Sequence, residues 1–249
     1  MRTINLTKTK LVKTKKTLGV LGGMGVQATA MFYTMLNRMQ TVSCEQEYID
    51  VIIYSKPSIP DRTAFITGRS DKSPVGTLLE AAHTLEKSGV DYIAMPCVTA
   101  HFFYDKLNEA VSIPFINMME ETAIYVQKSG YTRIGLLATD GTLEGRLFHK
   151  AFAQKGIEVL TLTTSSQTYL RETIYKVKAG QVPIYDEFTC DTAFDTHTLD
   201  ALSAELCTQG AQAIVLGCTE LGLLPRSSKY IYIEAMEVLA MAALKACLS

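Results

Sequence analysis

Two nine-residue stretches of this chain follow one plan. Gly89-Val90-Asp91-Tyr92-Ile93-Ala94-Met95-Pro96-Cys97 and Gly210-Ala211-Gln212-Ala213-Ile214-Val215-Leu216-Gly217-Cys218 each begin with a glycine suited to end a helix. Each then passes through a short apolar run suited to a buried strand and stops at a cysteine. A chain that carries this plan twice is constrained towards open α/β architecture, where ligands bind beyond the carboxyl ends of parallel strands. Two such halves facing each other would aim two thiols at one cleft from opposite sides. That arrangement suits a reaction needing an acid and a base on opposite faces of one carbon.

The rest of the sequence repeats the alternation of strand and helix. Apolar runs predict strands over 17–21, 50–54, 92–95, 114–116, 133–137, 158–162, 213–216 and 230–233. Helical spacing predicts helices over 26–41, 75–88, 118–129, 143–155, 167–179, 195–209 and 235–247. In the first of these, Ala28, Met31, Phe32, Met35 and Leu36 share one face. Gly89, Gly130, Gly156, Gly180 and Gly210 fall where helix ends need a left-handed residue. Leu18-Gly19-Val20-Leu21 and Ile134-Gly135-Leu136-Leu137 open the two halves, offset by 116 residues, against 121 at the cysteines. We read an ancient duplication. The last strand and helix are expected to return to the first half, giving one unit from 17–115 plus 226–249 and a second from 116–225.

Charge and composition narrow the function classes. The formal net charge is −1 and no stretch approaches the roughly 18 apolar residues of a membrane helix, so neither nucleic acid nor membrane is an expected partner. Residues 1–16 form a basic extension with six cations and no acid, read as a solvated tail. Six cysteines are too sparse for a disulfide scaffold, and the four histidines lack zinc-type spacing, so no metal is expected. A cytoplasmic protein with reduced thiols follows from this reading.

Gly23-Met24-Gly25-Val26-Gln27-Ala28 fits Gly-x-Gly-x-x-Ala between a strand and a helix, but the second strand ends in Ser55-Lys56 without the acid a dinucleotide site needs. The turn is read instead as backbone N–H groups approaching a small anion. Cys44, Cys190, Cys207 and Cys247 are read as small buried hydrophobes or plain surface residues. Cys97 and Cys218 each open a polar loop, Val98-Thr99-Ala100-His101 and Thr219-Glu220, where a following helix start stabilises a thiolate. Thr99 and Thr219 are candidate caps of those helices. His101 and Glu220 are candidate proton partners of the thiols or supports for them.

Four motifs in order then resemble the aspartate/glutamate racemase family, and more specifically its cofactor-independent aspartate racemase branch. They are Leu21-Gly22-Gly23-Met24-Gly25, Ile59-Pro60-Asp61-Arg62-Thr63-Ala64, Pro96-Cys97-Val98-Thr99-Ala100-His101 and Gly217-Cys218-Thr219-Glu220-Leu221. The resemblance implies two similar Rossmann-like or flavodoxin-like α/β domains, related by a pseudo-twofold, with the active site in the cleft between them. It implies Cys97 and Cys218 as the catalytic pair, no cofactor, an acidic amino acid as substrate and a homodimer. Substrate contacts carried over are Met24, Asp61, Arg62, Thr63, Val98, Thr99, Ala100, Thr219 and Lys178, with Lys176 the neighbour that could replace Lys178. Arg62, set before a loop, and Lys178, at a helix end, would hold a side-chain carboxylate across the cleft.

The chain departs from the pattern at Val98, where the family usually has asparagine, and at Glu234-Ala235, where it often has Asp-Pro. Other cysteine-based isomerases or decarboxylases, and an acidic-amino-acid-binding homologue without turnover, stay open as alternatives.

Overall fold

The computed structural model describes residues 15–181 and 197–249; Cys190 and the basic residues Arg2, Lys8, Lys10 and Lys13 lie outside them. The first half contains β1 (Leu18–Gly22), α1 (Val26–Met39), β2 (Val51–Ser55), α2 (Arg62–Ile66), α3 (Val75–Lys87), β3 (Tyr92–Ala94), α4 (Tyr104–Ala110) and α5 (Met118–Lys128). The second contains β4 (Arg133–Ala138), α6 (Asp140–Glu144), α7 (Leu147–Ala153), β5 (Glu158–Leu160), α8 (Thr164–Lys178), α9 (His197–Thr208), β6 (Ala213–Gly217), β7 (Tyr232–Glu234) and α10 (Ala235–Leu248). Short 3₁₀ helices cover Glu45–Glu47, Thr99–Phe103 and Thr219–Leu223.

All named strands pair in parallel, in one sheet of order β2-β1-β3 and another of order β5-β4-β6-β7. Phe115 forms a parallel bridge to Ile93 in the first sheet, the place that β7 takes beside β6 in the second. The two orders therefore correspond position by position, an α/β fold built twice. The expected strand at 114–116 shrinks to this bridge, since Pro114 has no N–H to extend a ladder.

The strand and helix within 226–249 divide between the halves: β7 pairs with β6, aligning Ile214 with Tyr232 and Leu216 with Glu234. This pairing covers an edge that β6 would otherwise expose. Helix α10 then runs between the sheets, against α1, α5 and β3 as well as β7. The single helix expected over 143–155 is two, because Arg146 adopts a left-handed φ of 49° after Gly145. A Cβ on Gly145 would sit 2.8 Å from the Phe102 ring, so the break also seats that ring.

Strand alternation sorts the apolar side chains into three layers. Leu18 and Val20 of β1, Ala94 of β3, Leu136 of β4 and Val215 of β6 point into a central core shared with α1, α5, α7 and α10. Leu21, Ile93, Met95 and Cys97 point to an outer layer under α3 and α4. Leu137, Ile214, Leu216 and Cys218 point to the matching layer under α8 and α9. The N-terminal lysines that emerge from the basic extension are not free. Lys15 Nζ donates to the Gln46 and Tyr48 carbonyls, Lys16 Nζ bonds the Tyr92 hydroxyl, and Lys16 N–H donates to Cys247 O.

The halves touch closely where α2 meets α6. A Cβ on Gly141 would lie 2.9 Å from Thr63 Cα and 3.0 Å from Thr99 Cγ2. The Gly141→Ala variant is therefore expected to lose about 1–3 kcal/mol of stability as the helices are forced apart. Urea unfolding measures this, and an unchanged midpoint would refute the contact.

Candidate active site

Both sequence-predicted cysteines stand at strand carboxyl ends, each followed by a 3₁₀ helix that begins at Thr99 or Thr219. Neither helix is capped as expected, since Val98 and Cys218 occupy the cap positions without a side-chain bond. The thiols do not open onto the cleft. Cys97 and Cys218 are each 3% exposed, held in the outer apolar layers.

The reason on the second side is Glu220. Its Oε2 accepts the Cys218 S–H at 3.0 Å and the Thr219 hydroxyl at 3.1 Å. Its Oε1 accepts Gly25 N–H from the opposite half at 3.2 Å and faces Lys178 Nζ at 3.8 Å. Burial first, and then the Glu220 charge, push the Cys218 thiol well above its ordinary value, with Lys178 opposing. In this state Cys218 is a protonated thiol. Burial disfavours the Lys178 ammonium, but the nearby Glu220 carboxylate outweighs it, so its proton is held more tightly than usual.

A cavity of about 450 Å³ lies beside this group, walled by Met24, Gly25 and Arg62 from the first half and Lys178, Gly180 and Glu220 from the second. The Gly23 turn lets the chain approach there. Its φ is 92°, and a Cβ would collide with the Lys56–Pro57 backbone. Neither cysteine contributes to this wall. Cys218 reaches it through Glu220.

Arg62 does not precede a loop, as expected; it opens α2, a five-residue helix capped by Asp61 through Ala64 N–H. Its guanidinium is buried and donates to the Ile59, Pro60 and Met24 carbonyls, which leaves Nε without an acceptor. Burial alone would raise the Asp61 carboxyl, but the Ala64 N–H, Arg62, Lys178 and Tyr175 bring it below its usual range. The Tyr175 hydroxyl on α8 donates to Asp61 at 3.2 Å and so ties the halves together at the cleft.

Thr99 is buried in a hydroxyl cluster with Thr139 at 2.9 Å and Thr142 at 3.3 Å, across the halves. Thr139 and Thr142 were missing from the sequence reading, although Thr139-Asp140 is a helix-start signal that marks α6. Thr63 is buried against α6. Val98 and Ala100 turn their side chains into apolar layers, leaving only backbone for a ligand. Of the two roles open to His101, its hydrogen bonds fit that of a support. Its Nδ1 donates to Cys97 O at 2.9 Å, and its Nε2 accepts Met118 N–H at 3.4 Å, a tautomer assigned from these partners. Both ring nitrogens are therefore committed to backbone, not to sulfur. Among the described residues no cluster of His, Cys, Asp or Glu could hold a metal ion, and no helix is long and apolar enough to cross a membrane.

Fold and site together define a duplicated α/β scaffold with a thiol at the same strand end in each half. A family model for Asp/Glu/hydantoin racemases matches residues 21–243, and the chain belongs to that family. The broad specificity amino-acid racemase RacX of Bacillus subtilis is 30% identical over 149 residues, 57% of this chain and 63% of that protein. The match therefore spans less than two thirds of that relative's length. The aspartate racemase of Picrophilus torridus superposes with a TM-score of 0.79 at 27% identity, covering 93% of this chain and 94% of that one. The glutamate racemase of Francisella tularensis, solved with D-glutamate, shares the fold at a TM-score of 0.66 and 17% identity, covering 94% and 82%.

Burial lowers the His101 imidazole from 6.5 to about 4, so the folded state prefers it neutral. The stability this gives is complete above the ordinary value and is lost as pH falls towards about 4, by about 3 kcal/mol at most. A His101→Gln variant should lose stability less steeply over this window in urea titrations. Parallel pH profiles for the two proteins would contradict the assignment.

Proposed function

We propose that the protein is a racemase of an acidic amino acid, aspartate or glutamate, acting by two-base proton transfer between Cys97 and Cys218. The observation that carries this reading is the Lys178 ammonium, which borders a cavity shared by both halves and lies 3.8 Å from Glu220, the carboxylate that accepts the Cys218 S–H. Family membership supports the reaction class.

The chemistry follows from the difficulty of the step. An amino acid's α-proton is weakly acidic while its carboxylate is charged, so the transition state gathers negative charge that fixed donors must stabilise. Lys178, Thr219 and the Gly25 N–H are such donors at this cleft. A thiolate on one side removes the proton, and the thiol opposite returns one to the other face. The roles reverse in the next turnover, so the pair titrates as a unit. The reading is independent of pyridoxal phosphate, a feature taken from the family resemblance.

Arg62 supports the choice of an acidic side chain. It is buried at the cavity with an unfilled Nε donor. A hydrogen bond between charged groups contributes about 1.5–3 kcal/mol, enough to favour a second carboxylate. A homodimer, on the same resemblance, and a cytoplasmic location, on the sparse cysteines, complete the proposal.

In D₂O the protein is expected to introduce deuterium at the α-carbon of both enantiomers of its substrate. Cys97→Ser and Cys218→Ser should each reduce inversion by at least about a thousandfold. Undiminished racemisation in either variant would end the two-base reading, and amino-acid binding without any deuterium uptake would assign a non-catalytic binding protein.

A further inference from the structure

The donors gathered at the cleft already serve an anion, and that anion belongs to the protein. Glu220 is 2% exposed, yet it borders the cavity. Its two oxygens take the Gly25 N–H, the Thr219 hydroxyl, the Cys218 S–H and the Lys178 ammonium. These groups come from both halves and are of the kinds that would bind a carboxylate from solution. No other acid among the described residues gathers this set. Close packing reinforces the arrangement, since a Cβ on Gly25 would sit 3.2 Å from Glu220 Oε1.

We propose that Glu220 is a built-in competitor that determines how strongly the site accepts carboxylate ligands, occupying the anion subsite until a substrate carboxylate displaces it. The proposal rests on the acidic-substrate reading and deepens it. While Glu220 is seated, Cys218 is held as a thiol by a hydrogen bond to a carboxylate. Its displacement frees the Cys218 S–H from that bond, while the incoming carboxylate takes over the Gly25 N–H, the Thr219 hydroxyl and Lys178. Substrate entry and release of the second thiol from Glu220 are then one event. The Nε of Arg62 is the contrasting donor, with no acceptor bonded to it.

Succinate tests this without turnover, because it carries two carboxylates and no amino group. Calorimetric titration of Glu220→Gln is expected to give a dissociation constant at least about tenfold below that of the unmodified protein. The gain should persist in high salt, which screens long-range attraction but not direct contact. Glu220→Ala serves the same purpose if the glutamine variant does not fold. Affinity that is unchanged or weaker, or a gain that vanishes in high salt, overturns the proposal. The racemase reading is judged separately by deuterium uptake in the unmodified protein, so the two can fail independently.

Discussion

The apolar layer between the two sheets is the constraint on which the rest of the molecule depends. Because β1, β3, β4 and β6 alternate side chains between this layer and an outer one, the register of each strand fixes which way its last residues point. Cys97 and Cys218 lie on the outward side of the alternation in both sheets. A slip of one residue in either strand would turn its thiol into the central core. Site geometry is thus a consequence of packing that takes place well away from it.

Within the cleft, charge is balanced more closely than the overall −1 of the chain suggests. Lys178 and Arg62 supply two cations, and Glu220 and Asp61 supply two anions within their reach. Buried charges of one sign without partners would be costly, and here each cation has an acid near it. The hydroxyl cluster of Thr99, Thr139 and Thr142 has a different character, joining the halves without any net charge.

Much of this was legible in the sequence because the signals were periodic or repeated. Glycines 89, 130, 156, 180 and 210 all take positive φ, and the parallel strands fall within a residue or two of the apolar runs. What escaped detection was short or non-local. Helix α2 has five residues, fewer than two turns, so no periodicity could reveal it, and Arg62 was read into a loop. The break at Arg146 depends on a left-handed residue that is not glycine, which sequence rules do not anticipate. His101 ends a cysteine motif, but its ring is spent on Cys97 O and Met118 N, the latter seventeen residues along the chain and brought close only by the fold. Pairing of β7 with β6 was decided by a sheet edge, which no single segment displays.

The course of α10 has a consequence for how the chain is made. This helix follows both sheets in sequence, yet it supplies part of the inner cover of the first sheet through β3 and α1, and its Cys247 carbonyl takes the N–H of Lys16. Synthesis proceeds from the amino end, and domains ordinarily fold as they emerge. Here the earliest strands have an unfinished inner face until residues 235–248 have been made. The first sheet is closed only after the strands of the second exist.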